Sequence, residues 1–327
     1  MASEFQIKYM GAASFLLGMK LERVNGGLIL HQNQYIERKL IEFNLARFSP
    51  STCPIDPNSH LGKANPDELA QFAALGINYR ALVGSLNYLS ILTRPDISYS
   101  VSKLLQFLEG PGINHYCAAV QVFRYLHHTK SLGYLATINH HIVSWKSLKQ
   151  CTVSLSSTEA EYKALADAGK EASWLINLCQ EIFCNTPTTL AVIKIDNCGA
   201  IDLACSQISQ NSFREHMDLH LHYIQDLIKA KVISLKYVAS VNNSANFLTK
   251  PVGRSRIVCS LQPYTLTALN ISASHPMVPS TGACQDVIMG TSPEPNYDDF
   301  IAEAINHTRQ SHDTTSATQT LEVPDAW

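Results

Sequence analysis

The sequence predicts an α+β fold, and three observations carry that prediction. Two short apolar stretches flank an Asn25-Gly26-Gly27 turn near the amino end. Residues 67–130 repeat apolar positions at helical spacing with few breakers. Beyond residue 142, strand-like runs alternate with helical ones. The 327 residues, 46% hydrophobic and 16% charged, make an ordinary globular composition with room for about two domains.

Phe15 to Glu22 is apolar and strand-like, and Leu28 to His31 resumes after the turn, which predicts a β-hairpin. Asn33 stands where a helix cap belongs, ahead of apolar positions at Ile36, Leu40 and Ile41. Residues 49–66 carry Pro50, Pro54, Pro57 and Pro66 and read as a loop. YRALVGSLNYLSILTRPDISYSVSKLLQF, starting at Tyr79, reads as two helices parted at Arg94-Pro95, because proline suits a first helical position. His115 to His128 makes a third helix. Arg124, His127, His128 and Lys130 near its end suit either contact with backbone phosphate or a solvated helix end, with solvation preferred.

A strand is expected at about 142–155, where β-branched and aromatic residues mix with polar ones and no Gly or Pro intervenes. Ser156-x-x-Glu159 and Thr158-x-x-Glu161 then form overlapping capping boxes. Tyr162, Leu165, Ala166, Gly169, Ala172 and Ile176 follow at helical spacing. Glu159 precedes Lys163 by four residues, an exposed pair of small value. Glu161 sits beside Tyr162 at the edge of the buried stripe. It is either a metal ligand or an acid that favours the helix amino end.

LAVIKI, at 190–195, is a short buried strand that delivers Asp196 at its carboxyl end. Asp196 there suits metal binding or capping of the next helix equally. His216 and His220 are four apart with His222 nearby, a spacing that zinc accepts, but no third ligand or general-base pattern accompanies them. A further strand is expected at 233–239. From Gly253 periodicity ends, and 253–327 reads as mostly disordered with a short helix at Asp298 to Ile305.

Net charge is −2, which is no nucleic-acid signature in itself. Residues 251–327 carry Arg254, Arg256 and Arg309 against eight acids, so this tail is −5 and the body +3. A mildly basic body permits nucleic-acid contact without requiring it. Trp145 with Lys146 and Lys149 is a hint of a basic groove. No apolar run approaches a membrane span, and MASEFQIKYMG lacks the apolar core of a signal peptide. Nine cysteines without a C-x-x-C motif suggest reduced thiols in the cytoplasm or nucleus.

SWKSLKQCTVSLSSTEAEY, followed by KEASWL, closely resembles the ribonuclease H domain of copia-type LTR retrotransposon Pol polyproteins, with its WKSKKQ, SSTEAEY and KEA-x-WL runs. The resemblance extends in both directions. MGAASFLLGMKLERVNGGLILHQNQYIERKLIEFNL is similar to the end of the family's reverse-transcriptase region. YRALVGSL, TRPDI and RYL match its helical connection region, and IDNCGAIDLA its CDN-x-AAI-x-[LI]A motif. The histidine run REHMDLHLHY has a family counterpart, K-H-I-D-x-x-x-H-F, and so reads as family structure. The family motifs stop at about Pro251.

The resemblance implies four segments. These are the end of the reverse-transcriptase region at 1–48, a connection region at 49–141, a truncated ribonuclease H-like domain at 142–252, and the acidic tail at 253–327. It implies that Glu161 and Asp196 are catalytic acids and ligands of Mg²⁺. It further implies that an RNA–DNA hybrid or other nucleic acid, and the rest of a Pol polyprotein, are partners, with no membrane involved. Two departures are large. The family's D-A-D-W-A-G and D-R-R-S-T-S-G segment, which bears its first catalytic aspartate, has no counterpart, since GYLATINHHIVSWKS runs straight into the WKS motif. No acid lies between Glu109 and Glu159 to replace it. The family's last aspartate, in AD-x-LTK, is Asn246 in SANFLTKP. The polymerase aspartates lie upstream of the matched region, and no YVDD-type motif occurs in the chain.

Ribonuclease H chemistry holds two divalent cations on three or four carboxylates. Two acids and one amide make a poor cage, so the expectation is a Pol-derived chain without activity of its own. The alternative is a domesticated module that binds nucleic acid or protein without catalysis. Glu161 and Asp196 are expected to face one another across the end of the sheet with Asn246 close by. Loss of a central strand is expected to leave sheet edges open and stability low.

Overall fold

The computed structural model describes residues 11–24, 27–136, 142–183, 190–206, 215–261 and 265–267. It mixes helix and small sheets, consistent with an α+β fold. The chain forms two compact units: Leu148–Asn246, and the remainder on either side of it.

In the larger unit, β1 (Phe15–Leu16), β2 (Met19–Val24) and β3 (Gly27–His31) run antiparallel, with Leu16 opposite Met19 and Leu21 opposite Leu30. The expected hairpin is therefore present, but its first strand is broken. Leu17 and Gly18 both have positive φ, 49° and 74°, the pair of angles that a two-residue type I′ turn requires. The Tyr88 hydroxyl donates to the Leu17 carbonyl at 2.6 Å and holds the turn closed. The second turn, at residues 25–26, lies outside the described residues.

Helix α1 (Asn33–Glu42) starts one residue earlier than expected, since Gln32 occupies the cap position and no side chain caps it. Asn33 is thus the first helical residue rather than the cap. Residues 49–64 form the expected irregular segment, and Asn65 caps α2 (Pro66–Ala73) in a reciprocal box with Glu68. α3 (Tyr79–Leu92) ends before Arg94, a 3₁₀ turn occupies Pro95–Ile97, and α4 (Ser98–Leu105) follows. α5 (Ile113–His128) is central, with Val120, Val122, Phe123 and Leu126 fully buried against Leu86 and Leu89 of α3 and Val101 and Leu104 of α4. β4 (Leu132–Ala136) adds to β3 and carries β7 (Thr265–Thr267) on its other side.

His115 closes the irregular segment onto α5. Its Nδ1 accepts the Gly112 N–H at 2.9 Å, and its Nε2 donates to the Gly62 carbonyl at 2.9 Å, so the ring is neutral. Burial lowers its affinity for a proton, opposed by the Gly62 bond and the Glu68 charge. A histidine with a lowered folded-state pKa contributes stability that is present above its ordinary value of 6.5 and is lost as pH falls through that value. Thermal melts of the wild type are expected to lose stability between pH 7.5 and 5.5 more steeply than melts of His115→Gln. Parallel curves for the two proteins would refute this assignment.

The smaller unit consists of α6 (Ser157–Ile182), β5 (Ala191–Ile195), α7 (Cys198–Cys205), α8 (Glu215–Lys229) and β6 (Ile233–Tyr237). β5 and β6 pair in parallel, Ile193 opposite Leu235, and form the two strands expected after α6. Tyr162, Leu165, Ala166, Ile195, Ala200, Ala204, Ile224 and Ile233 make its core.

The strand expected at 142–155 does not form: the described chain from 142 to 156 is irregular. Val143, Leu148, Val153 and Leu155 are all exposed. Strand-forming residues alone do not make a strand, because each backbone N–H and C=O needs a ladder partner, and this segment has none among the described residues. After the smaller unit come α9 (Asn246–Thr249) and α10 (Arg254–Leu261), where Phe247, Ile257 and Leu261 pack together with Ile142. The helix expected at Asp298 to Ile305 lies outside the described residues. Among the described residues no helix is long and apolar enough to cross a membrane.

Candidate functional site

Ser156 begins the site by capping α6, its hydroxyl accepting the Glu159 N–H at 3.1 Å. The Glu159 carboxylate accepts the Leu155 N–H at 2.7 Å and pairs with Lys163 at 2.8 Å. One capping arrangement therefore forms. The second, from Thr158 to Glu161, does not, because Thr158 is already inside the helix. Thr158 serves another purpose: a Cβ placed on Gly199 would lie 3.1 Å from its Oγ1. The first turn of α6 thus rests on the first turn of α7, and Gly199 permits the close approach.

Glu161 lies three residues beyond Thr158 and so shares its helix face. It is half-buried beside the fully buried Tyr162, whose phenol is pushed well up by burial. Asp196 follows directly on Ile195, the last residue of β5, and is half-buried. The cap of α7 is Asn197, whose side chain accepts the Ala200 N–H at 3.0 Å. Of the two readings open for Asp196, capping thus belongs to its neighbour. Because α6 and α7 meet at their amino ends, Glu161 and Asp196 come to the same end of the sheet, the carboxyl end of β5.

Asn246 comes to that end as well. Val238 continues β6 by donating its N–H to the Ile195 carbonyl at 2.9 Å, and the loop beyond it leads to Asn246. Asn246 is buried, and its side-chain amide donates to the Ser240 carbonyl. An aspartate in the same rotamer would set a carboxylate oxygen against that carbonyl, so the loop is built around an amide donor.

Other candidates are dispersed. Arg124 donates to the Ser49 carbonyl and hydroxyl at 2.6 and 3.0 Å, tying down the irregular segment, and Lys130 pairs with Glu37 at 3.1 Å. His128 is exposed and His127 half-buried. Trp145 donates its indole N–H to the Ser90 carbonyl at 2.6 Å, while Lys146 and Lys149 are exposed. The side chains of His216 and His220 lie outside the described residues, and His222 is exposed. Among the described residues no three His, Cys, Asp or Glu side chains gather closely enough to hold a metal ion. From sequence Thr158 was read only as a cap of α6 and Asn197 only as part of the turn into the next helix; the packing of Thr158 on Gly199 and the capping of α7 by Asn197 are seen in the structure. The S-S-T-E and D-N-C-G patterns are the signals from which they are recoverable.

The chain is 31% identical over 292 aligned positions to the retrovirus-related Pol polyprotein from transposon TNT 1-94 of Nicotiana tabacum. It is 32% identical over 286 positions to that from transposon RE1 of Arabidopsis thaliana. Each match covers 78% of this chain, but only 22% and 19% of the respective relative, so the chain spans about a fifth of these curated relatives. A third relative, secreted RxLR effector protein 161 of Plasmopara viticola, is 36% identical over 130 positions, 30% of this chain and 92% of that protein. Since 78% of 327 residues is about 255, some 37 of the 292 positions in the first alignment fall opposite no residue of this chain. No protein-family model matches the chain, and no solved structure matches it.

Proposed function

This chain belongs to the copia-type retrotransposon Pol polyproteins, and we propose that it carries the remnant of a ribonuclease H-like module that no longer cleaves RNA. On this reading the larger unit corresponds to the end of a reverse-transcriptase region and its helical connection, and the smaller unit to the nuclease. Glu161 and Asp196 are the surviving catalytic acids, and Asn246 stands where a third has been replaced. An RNA–DNA hybrid and the rest of a Pol polyprotein are the partners implied, in the cytoplasm or nucleus.

The reading is supported by the packing of the first turn of α6 on that of α7, which follows β5, and by the loop from Val238 to Asn246 that starts beside Ile195, with only two carboxylates among the three positions. Mg²⁺ would supply charge to stabilise attacking and leaving oxygens. The residues present do not fit that pair of cations. Each needs several oxygen ligands, and no third acid joins Glu161 and Asp196 among the described residues.

The test is a cleavage assay on an RNA–DNA hybrid with Mg²⁺ and, separately, Mn²⁺, whose affinity for mixed sites is at least comparable. Purified protein is expected to give no hybrid-dependent cleavage above background. Cleavage that disappears in Glu161→Gln or Asp196→Asn would overturn the proposal and restore the enzyme.

A second reading has one observation of its own. A region similar to part of this chain makes up 92% of the Plasmopara effector, so such a segment persists as a protein in its own right. A non-catalytic binding module would then retain affinity for hybrid or for protein while lacking cleavage. Saturable binding of a labelled hybrid without turnover would favour it.

A further inference from the structure

Two motifs that the sequence singles out, SWKS at 144–147 and LTKP at 248–251, play no part in the candidate site. They flank the smaller unit in the chain, and both belong to the larger unit. The chain that follows the smaller unit completes the larger one. Phe247, Ile257 and Leu261 are buried together, Ile142 packs against them, and β7 pairs with β4. One side of the larger unit is thus built jointly from residues before and after the insert.

Trp145 and Ser147 join those two flanks. The Trp145 indole N–H donates to the Ser90 carbonyl at 2.6 Å, in the last turn of α3. Carbonyls in a last turn have no partner within their own helix, so a donor from outside satisfies one of them. The same carbonyl accepts the Ser98 hydroxyl of α4 at 3.2 Å, which puts Trp145 at the α3–α4 corner. The Ser147 hydroxyl donates to the Leu248 carbonyl at 2.6 Å. α9 is four residues long, so this carbonyl too lies at a helix end. Lys146, between the two donors, is exposed.

We propose that Trp145 and Ser147, with Ile142, form a clasp that closes the larger unit where the chain leaves for the smaller unit and returns from it. One donor fixes the outgoing chain to the α3–α4 corner, and the other fixes the returning chain to the outgoing one. The clasp holds α10 to the larger unit, so α10 shares that unit's stability and not the insert's. The proposal draws on packing and hydrogen bonds alone, and it stands whether or not the smaller unit is a nuclease remnant.

The experiment is amide exchange with mass spectrometry on the full chain, comparing the wild type with Ser147→Ala and Trp145→Phe. Each variant removes one donor and is smaller than the residue it replaces, so neither needs new room. Losing one hydrogen bond to a helix-end carbonyl is expected to speed exchange in α10 by roughly fivefold, while α6 and α8 keep wild-type rates. Wild-type rates in α10 for either variant would overturn the clasp. So would faster exchange in α6 and α8 alongside α10, because the motif would then belong to the stability of the smaller unit.

Discussion

Asp96→Ala is expected to destabilise the larger unit by about 3–5 kcal/mol, the usual cost of leaving one partner of a buried ion pair alone. Arg94 and Asp96 are each 2% exposed. The guanidinium grips the carboxylate through Nη2 at 2.6 Å and Nε at 3.0 Å, donates from Nη1 to the Thr129 carbonyl at 3.3 Å, and stacks over the Tyr125 ring at 5.5 Å. This arrangement joins the α3–α4 corner to the carboxyl end of α5. Without Asp96 the cation stays buried with too few acceptors, and water must enter or the corner must open. The pair itself contributes far less than its disruption costs, because both charges were taken out of water to form it. Arg94→Met combined with Asp96→Leu should therefore cost less than Asp96→Ala alone. Denaturant unfolding of the three proteins measures both quantities. A loss below about 1 kcal/mol in Asp96→Ala would mean that the corner solvates the arginine freely.

That pair also marks where sequence reading stops. Arg94-Pro95-Asp96 was legible as a helix break, because proline suits a first helical turn, but nothing in three adjacent polar and proline residues announces near-total burial. The hairpin and the helices of the larger unit were legible because local periods and turn residues determine them. Gly18 shows the limit of that: the break at Leu17 depends on a contact with Tyr88, 71 positions away in the chain. The segment 142–155 failed for a different reason. Its composition is that of a strand, yet a strand exists only where another backbone completes its hydrogen bonds. At the candidate site, the helix carrying Glu161 and the strand delivering Asp196 were legible from apolar spacing, while Asn246 was located by resemblance alone, which also supplied all three roles. The assignment of the α7 cap to Asn197 rather than Asp196 required coordinates, since either side chain is a competent cap.

Ile224→Ala is expected to abolish the folded smaller unit at 37 °C rather than merely weaken it. Truncating a fully buried isoleucine removes its transfer free energy and leaves a cavity, together about 2–5 kcal/mol. Most proteins of ordinary size absorb such a loss from a total of about 5–15 kcal/mol. This unit has little to absorb it with. Among the described residues three of its eight buried core residues are alanines and its sheet has two strands, a number that is marginal in water without packing support. Ile224 supplies that support directly: it is 0% exposed, and a Cβ added to Gly169 of α6 would lie 2.8 Å from its Cδ1. Its loss therefore separates α8 from α6, the contact on which β5 and β6 are mounted. The larger unit draws on a separate core around α3 and α5 and contains none of these residues. Amide exchange followed by mass spectrometry is expected to show full exchange across α6 and β5 in Ile224→Ala, while α3 and α5 keep their wild-type protection. Wild-type protection retained in α6 would show that the cavity collapses at little cost. Joint loss in all four elements would show that the two cores unfold as one.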